Sequence, residues 1–290
     1  MPSTLDRTHG RPGTDLFGEP INARAVHTNP TDVLDQTTAR LAQHHAALLD
    51  GFPLDAKLYV DFLSHLGEPL DNYGAGSNSA AFTLHPKINV VRCQPGGSRV
   101  QEQGGPLTAH SGRAFAKVRP AYTAMLMTTA GWPGTPGQAG ESIAVLWSDA
   151  IARHRELHPD HAADDLALLT GTPITITTTH VTSELSNLPL LYPLTDSRGP
   201  DDLGARFSLV IRDQLPAMGL DTETEQRYGA ALERFAAAAN DPAARHVHLL
   251  APGQLLIVDN NRVGHGRLPT PTDGPAGQTN PRELWSATVA

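Results

Sequence analysis

Leu250-Ala-Pro-Gly-Gln-Leu-Leu-Ile-Val-Asp-Asn-Asn-Arg-Val-Gly-His265-Gly-Arg267 is the stretch that decides the fold. A Pro-Gly turn leads into an apolar run (Gln254–Val258), then a polar Asp-Asn-Asn turn, then a histidine flanked by glycines. An apolar run of this length bounded by turn residues reads as a strand. An imidazole on a strand end, with glycines expected to clear space around it, is where a barrel can offer a metal ligand to its lumen. Short runs of the same kind recur at Ile88–Cys93, Tyr122–Thr128, Ile143–Trp147, Ile174–His180, Phe207–Ile211, His246–Leu250 and Leu284–Val289. Many short strands with long connections predict a mainly β fold with flanking helices, a sandwich or jelly-roll barrel. Helices are expected at Thr31–Leu49, Leu54–Leu66, Ser148–His158 and Glu223–Ala239.

The 290 residues can bury a large core, and 26 Gly and 24 Pro punctuate apolar runs rather than replace them. Residues 1–30 read as an irregular N-terminal arm and 31–290 as a single domain, in which 159–202, rich in Pro and polar residues, is a lid candidate. A formal net charge of −8 argues against a nucleic-acid polymer as partner. No stretch approaches the ~20 apolar residues of a membrane span. The single cysteine, Cys93, excludes an internal disulfide and fits a reducing, cytoplasmic setting.

Most of the 14 histidines read as ordinary. His154 and His158 lie four apart on a helix, but Arg155 stands where a zinc-protease helix needs glutamate. His246 and His248 alternate on a strand with nothing nearby to complete a site, and His44, His45 and His161 lack a convergent partner. His265 is one exception. The other is His110, in Gly104-Gly-Pro-Leu-Thr-Ala-His-Ser-Gly-Arg-Ala-Phe115, just before a strand.

The distal stretch, Leu-x-Pro-Gly-x-Leu-x-x-x-Asp-Asn-x-Arg-x-x-His-Gly-Arg, resembles the distal-histidine segment of the iron(II)/2-oxoglutarate dioxygenases of the taurine dioxygenase and clavaminate synthase-like group. His110-Ser111-Gly112, followed by Arg119-Pro120, resembles that group's His-x-Asp/Glu segment and Arg-Pro. The likeness spans about residues 55–290 and implies a double-stranded β-helix (jelly-roll, cupin-like) barrel. It also implies that His110 and His265 bind Fe(II), and that Arg282 pairs with the distal carboxylate of 2-oxoglutarate. Arginine's planar fork suits that carboxylate. Arg267 is its rival, and Ser142 matches a hydroxyl donor to the same group.

Gly112 departs from the pattern, since a facial triad has a carboxylate there. In this group that replacement marks halogenases, in which the freed position takes chloride as co-substrate. The resemblance then implies use of O2 and 2-oxoglutarate, a chloro-iron(IV)-oxo intermediate, and chlorination of an unactivated aliphatic C–H bond. One alternative is an oxygenase (hydroxylase, desaturase or cyclase) with two protein ligands, or one recruiting Glu102 or Glu141. Another is a non-catalytic barrel that binds a small molecule. The expected substrate is a freestanding metabolite, an amino acid, nucleoside or nucleotide, or an alkaloid-like compound. Arginines in an acidic chain (Arg92, Arg99, Arg113, Arg119, Arg206, Arg212) would suit an anionic one. Arg113, Arg206 and Phe115 are the substrate-contact candidates, and Trp132 and Trp147 could line a pocket. Oligomeric state is not legible in the sequence.

Overall fold

The computed structural model describes residues 16–71, 84–92, 102–117, 119–177, 187–272, 274 and 277–290. Two sheets form its centre. The larger comprises β1 (Ile21–Asn22), β2 (Ala46–Asp50), β12 (Leu255–Asp259), β5 (Tyr122–Thr129), β14 (Glu283–Val289) and β3 (Asn89–Arg92), in that spatial order. The smaller runs β11 (Arg245–His248), β6 (Ser142–Leu146), β13 (Val263–Arg267) and β4 (Leu107–His110). Neighbours pair antiparallel throughout both sheets, apart from the short parallel contact of β1 with β2. The result is the jelly-roll barrel, mainly β with flanking helices.

Strand β12 shows why the quoted stretch decides the architecture. Its Leu256 and Val258 enter an apolar cluster between the sheets, with Leu48, Met125, Met127, Ala144, Val263 and Leu284. Its Leu255 and Ile257 point the other way, into a cluster with Leu41, Tyr59, Phe62 and Leu63. Those residues belong to helices α1 (Pro30–His44) and α2 (Ala56–Ser64). Both faces of the strand are covered, so apolar residues do not alternate with polar ones. Against the outer face of the smaller sheet lie α3 (Trp147–Leu157), α4 (Ala162–Gly171) and α6 (Thr222–Ala239). There Trp147, Ile151, Leu232 and Phe235 pack on Ala109, Ile143 and Val145.

Several local expectations change. The helix expected over Thr31–Leu49 stops at His44, because His45 turns into the left-handed region (φ 63°) and Ala46–Asp50 becomes a strand. Pairing of Leu48 with Leu256 and Leu49 with Leu255 overrides the helical spacing of the leucines. The strand expected at Phe207–Ile211 is displaced to β10 (Leu203–Ala205), which pairs with β9 (Leu191–Pro193), and Val210–Gln214 forms a short helix, α5. Ile174–His180 yields only β7 (Ile174–Thr175), paired with β8 (Asn187–Leu188); residues 178–180 lie outside the described ones. Of the arm, residues 1–15 lie outside the described ones. Leu16 and Phe17 are buried in the inter-sheet cluster and Ile21 pairs with Leu49, so the rest of the arm is drawn into the fold.

Within the lid candidate 159–202, residues 178–186 lie outside the described ones, and the rest is tied to the body of the fold. Helix α4 packs on α6, with Leu169 fully buried and Asp165 gripped by Arg234 through two bonds of 2.7 and 2.6 Å. Arg262 anchors the later part through Asp196 (2.6 Å) and Asp202 (3.1 Å). Among the described residues no helix is long and apolar enough to cross a membrane.

Candidate metal centre

Strands β4 and β13 pair with His110 and His265 as register partners. Val263 faces the inter-sheet cluster, so the two-residue period of β13 puts His265 and Arg267 on the same inner face. Ala109 packs outward against the helices, so His110 turns inward too. The two imidazole rings meet with centroids 4.4 Å apart. The flanking glycines do not clear space around the imidazole. A Cβ on Gly264 would lie 2.4 Å from the Trp147 ring on the outer face, and one on Gly266 would lie 2.3 Å from the Leu107 carbonyl oxygen. Glycine at both sites lets Trp147 and β4 approach β13 closely.

Both rings are neutral bases. Burial lowers the His110 pKa, against the opposing pull of the Thr108 and His265 backbone oxygens. Burial, and then repulsion from His110, holds His265 well below the ordinary histidine value. His110 Nδ1 lies 3.0 Å from the Thr108 carbonyl oxygen, which can only accept, so Nδ1 carries the proton and Nε2 offers a lone pair. His265 Nδ1 is buried without a hydrogen-bond partner. Two lone-pair imidazoles, one oriented by a carbonyl and the other with an unsatisfied nitrogen, are a donor set that fits a divalent metal.

Gly112 sits beside this pair. A Cβ built on it would lie 3.6 Å from His265 Cε1, so a carboxylate at this position would stand beside the imidazoles. Ser111 is fixed by donating its hydroxyl to the Ala205 carbonyl (2.8 Å) and its amide to that of Phe207 (2.9 Å). Among the described residues no third His, Cys, Asp or Glu joins the two histidines. Glu141, one of the candidate replacements, is occupied elsewhere: its two oxygens accept from the amides of Gly137 (2.6 Å) and Ala139 (3.0 Å), closing a turn. Glu102 joins no such group either.

Arg282, at the head of β14, is buried. Its Nε lies 3.2 Å from where a Gly140 Cβ would be, and the Thr270 hydroxyl lies 2.9 Å from that same point. Gly140 has a φ of 76°, so glycine is required there both by backbone and by space. Asn280 frames this niche, donating to the Pro271 carbonyl (2.6 Å) and the Thr270 hydroxyl (3.3 Å) and accepting from the Arg282 amide (3.0 Å). Ser142 lies on the inner face of β6 in register with Arg267. Arg267 itself donates to the carbonyls of Gln103 and Gly105, bracing the loop that leads into β4. That main-chain role weighs against Arg267 as a cofactor clamp.

The substrate candidates separate. Arg206 is fully buried and donates to the main-chain carbonyls of Ile174, Leu188 and Pro189, so it ties β7, β8 and their surroundings together rather than facing a ligand. Arg113 adopts a left-handed backbone (φ 52°) and donates to the Asp71 carbonyl. Phe115 packs against the helical cluster, and Trp147 is fully buried there. Arg92 pairs with Glu283 and Arg212 with Glu233, while Arg119 stacks over the Tyr192 ring at 3.7 Å. Arg99 and Cys93 lie outside the described residues.

Other histidines are more buried than the sequence suggests. His154 is inaccessible, 3.1 Å from the Asp165 carboxylate, and His246 is buried with its ring against Phe17. Four polar residues of the site escape sequence reasoning: Thr123, Asn260, Thr270 and Asn280. Asn260 stands within the quoted stretch, and its place in a polar turn directly after an apolar strand is the one signal that pointed to it.

With the geometry in place, comparison with known proteins identifies the family. Residues 9–288 match the profile described as taurine catabolism dioxygenase TauD, TfdA family. The chain belongs to the TauD/TfdA family. An asparagine oxygenase solved with Fe(II), 2S,3S-3-hydroxyasparagine and succinate superposes with a TM-score of 0.62 at 19% identity, over 91% of this chain and 81% of that one. The non-heme iron oxygenase OrfP, in complex with Fe and alpha-ketoglutaric acid, gives 0.58 at 17%, over 90% and 80%. A taurine dioxygenase from Burkholderia xenovorans gives 0.58 at 17%, over 96% and 84%. No curated protein matches the sequence.

Proposed function

We propose that this protein is an iron(II)- and 2-oxoglutarate-dependent oxygenase that oxidises a C–H bond of a small, freestanding metabolite. The observation that carries the reading is the facing pair of buried, neutral imidazoles, His110 and His265, in a TauD/TfdA-family barrel; among the described residues no third protein ligand stands beside them. These two residues would hold the iron, and Arg282, beside the Thr270 hydroxyl, would take the distal carboxylate of 2-oxoglutarate. Bound together with O2, iron and 2-oxoglutarate supply the oxidising power for C–H cleavage and leave succinate and carbon dioxide.

The chain's own residues supply position. Strand pairing between β4 and β13 fixes the ligands before metal arrives, which lowers the ordering cost of binding. Thr108 orients the His110 ring, and the closely packed inter-sheet cluster borders the inner face with apolar side chains. Amino-acid-like substrates head the list because the asparagine oxygenase structure holds a hydroxylated amino acid. A reducing, cytoplasmic setting is the one its single cysteine supports.

Halogenation is the second reading, and Gly112 favours it. A glycine where a carboxylate would stand beside the imidazoles supplies no ligand and withholds a negative charge, which leaves a coordination position to an exogenous anion such as chloride. One experiment separates the readings. The iron-loaded protein is given 2-oxoglutarate, O2 and a panel of amino acids and nucleosides, with and without chloride, and succinate and products are analysed by mass. Substrate-dependent succinate with an oxygen-bearing, desaturated or cyclised product supports the oxygenase. A chlorinated product that disappears without chloride supports the halogenase. No succinate with any substrate, and no iron retained, would leave a binding protein.

A further inference from the structure

We propose that Thr123, held in place by Asn260, restricts position 112 to glycine and thereby keeps that position from supplying a third protein ligand to the centre. This rests on the iron site proposed above.

Gly112 is not among the glycines with positive φ, so its backbone would accept any residue; the restriction is one of space. A Cβ there would lie 2.7 Å from Thr123 Oγ1 and 3.0 Å from Asn260 Oδ1. Neither obstructing atom is free to retreat. Thr123 is 2% exposed on β5, a strand paired on both sides, opposite Val258 on one and Thr288 on the other. Its β-branched side chain has few rotamers, and its hydroxyl donates to Asn260 Oδ1 at 3.0 Å. Turning the hydroxyl aside would strand that bond inside the barrel.

Asn260 is fixed more completely. Its Oδ1 accepts from the Gly112 amide at 2.7 Å as well as from Thr123. Its Nδ2 donates to the carbonyls of Gly112 (3.0 Å) and Pro120 (3.2 Å). All of the amide's usual hydrogen-bonding capacity is therefore in use, and the side chain is 3% exposed. Any carboxylate at position 112 must be carried on a Cβ that collides with this clamp. With iron held by the two imidazoles, the position such a carboxylate would fill would be left to a small exogenous ligand. Thr123 and Asn260 are thus positioning residues, acting on the metal site through Gly112.

A double-mutant cycle tests this, first without metal. Gly112→Ala adds the Cβ alone, and its effect on the denaturation midpoint of the apoprotein is compared in the native and Thr123→Ala backgrounds. A clear loss in the native background, largely recovered in the Thr123→Ala background, is expected; equal losses in the two backgrounds, or no loss, would overturn the clamp. Should Thr123→Ala not fold, Thr123→Ser enters the same cycle, since without its γ-methyl the side chain can turn away. The second arm reads iron(II) affinity by competition with a colorimetric chelator. Gly112→Asp alone is expected to bind iron no more tightly than the native protein, and Gly112→Asp with Thr123→Ala at least about ten-fold more tightly. A Gly112→Asp protein that gains the same affinity with Thr123 present would overturn the proposal. A native protein that binds no iron would overturn the metal site itself, and the apoprotein cycle distinguishes that result from failure of the clamp.

Discussion

His110 and His265 are partners across the antiparallel pairing of β4 with β13, and their rings stand 4.4 Å apart. Because the two imidazoles come from residues directly opposed in one strand pair, the hydrogen-bond register of the sheet sets their separation. A one-residue slip of either strand would turn one of them out of the barrel. The geometry of the proposed metal site is thus a property of sheet pairing, and the site depends on whatever keeps that pairing close.

The first prediction concerns the ligands. His110→Ala and His265→Ala each remove a neutral nitrogen donor, and no third acidic or thiol group among the described residues can replace it. Each variant is expected to keep its fold by circular dichroism while retaining less than about a tenth of the iron bound by the native protein, the scale expected when a metal ligand or its immediate support is lost. Metal analysis after anaerobic loading and desalting reads this directly.

Arg282 should act on cosubstrate affinity. On the proposed assignment, its loss would remove a charge-assisted contact of about 1.5–3 kcal/mol, roughly 10- to 100-fold in binding. Arg282→Gln is expected to raise the 2-oxoglutarate concentration needed for half-maximal saturation by that factor while leaving iron stoichiometry intact. Equal affinity in Arg282→Gln and a large loss in Arg267→Gln would return the role to Arg267.

Packing around the distal strand gives a stability prediction. A methyl on Gly264 meets the Trp147 ring at 2.4 Å, and Trp147 is fully buried. Gly264→Ala is expected to cost about 1–3 kcal/mol, the usual range for overpacking. Gly266→Ala meets a main-chain oxygen at 2.3 Å and cannot be relieved by a rotamer change, so its cost should be the larger. Urea unfolding of the two apoproteins checks the order.

The fourth prediction is a pH dependence. Burial lowers the pKa of His154 from 6.5, with the Asp165 carboxylate opposing the shift. Above pH 6.5 the ring is neutral in both folded and unfolded chains, and it contributes no slope. Below it the unfolded chain takes up a proton that the folded chain refuses, so stability falls with pH until the folded value is reached. The slope approaches about 1.4 kcal/mol per pH unit for each such histidine. His110 and His265 act in the same direction in the apoprotein. His154→Gln is expected to flatten the decline of apoprotein stability between about pH 6.5 and 5 by up to one histidine's share, measured by urea unfolding at each pH.

The strands carrying the barrel were legible because β12 is a nearly continuous apolar run and β14 alternates apolar with polar residues, and both are found within a residue of where their sequence placed them. Tertiary pairing hid the rest. Leu48 sits at helical spacing from Leu41, yet it joins Leu256 in a sheet, and no local signal separates those outcomes. Arg206 shows the same limit for the site. An arginine before a strand resembles a ligand contact until the main-chain carbonyls it reaches, up to 92 residues away in sequence, are brought around it. His110 and His265 stood out because glycines and turn residues mark their segments, and Gly112 because the family resemblance puts a carboxylate at that position. Thr123 and Asn260 did not, since their importance lies in a contact between residues 137 positions apart.

The most direct test of the account needs no substrate. Under anaerobic conditions the native protein is titrated with iron(II) in the presence of 2-oxoglutarate, and the visible charge-transfer band of the metal–cosubstrate chelate is recorded. The account predicts a band that saturates at one iron per chain, is lost in His265→Ala, and forms in Arg282→Gln only at higher 2-oxoglutarate. A saturable shift of that band with chloride would favour halogenation, and insensitivity to chloride would favour oxygenation. Absence of the band in the native protein, or an unchanged band in His265→Ala, would contradict the assignment of the centre.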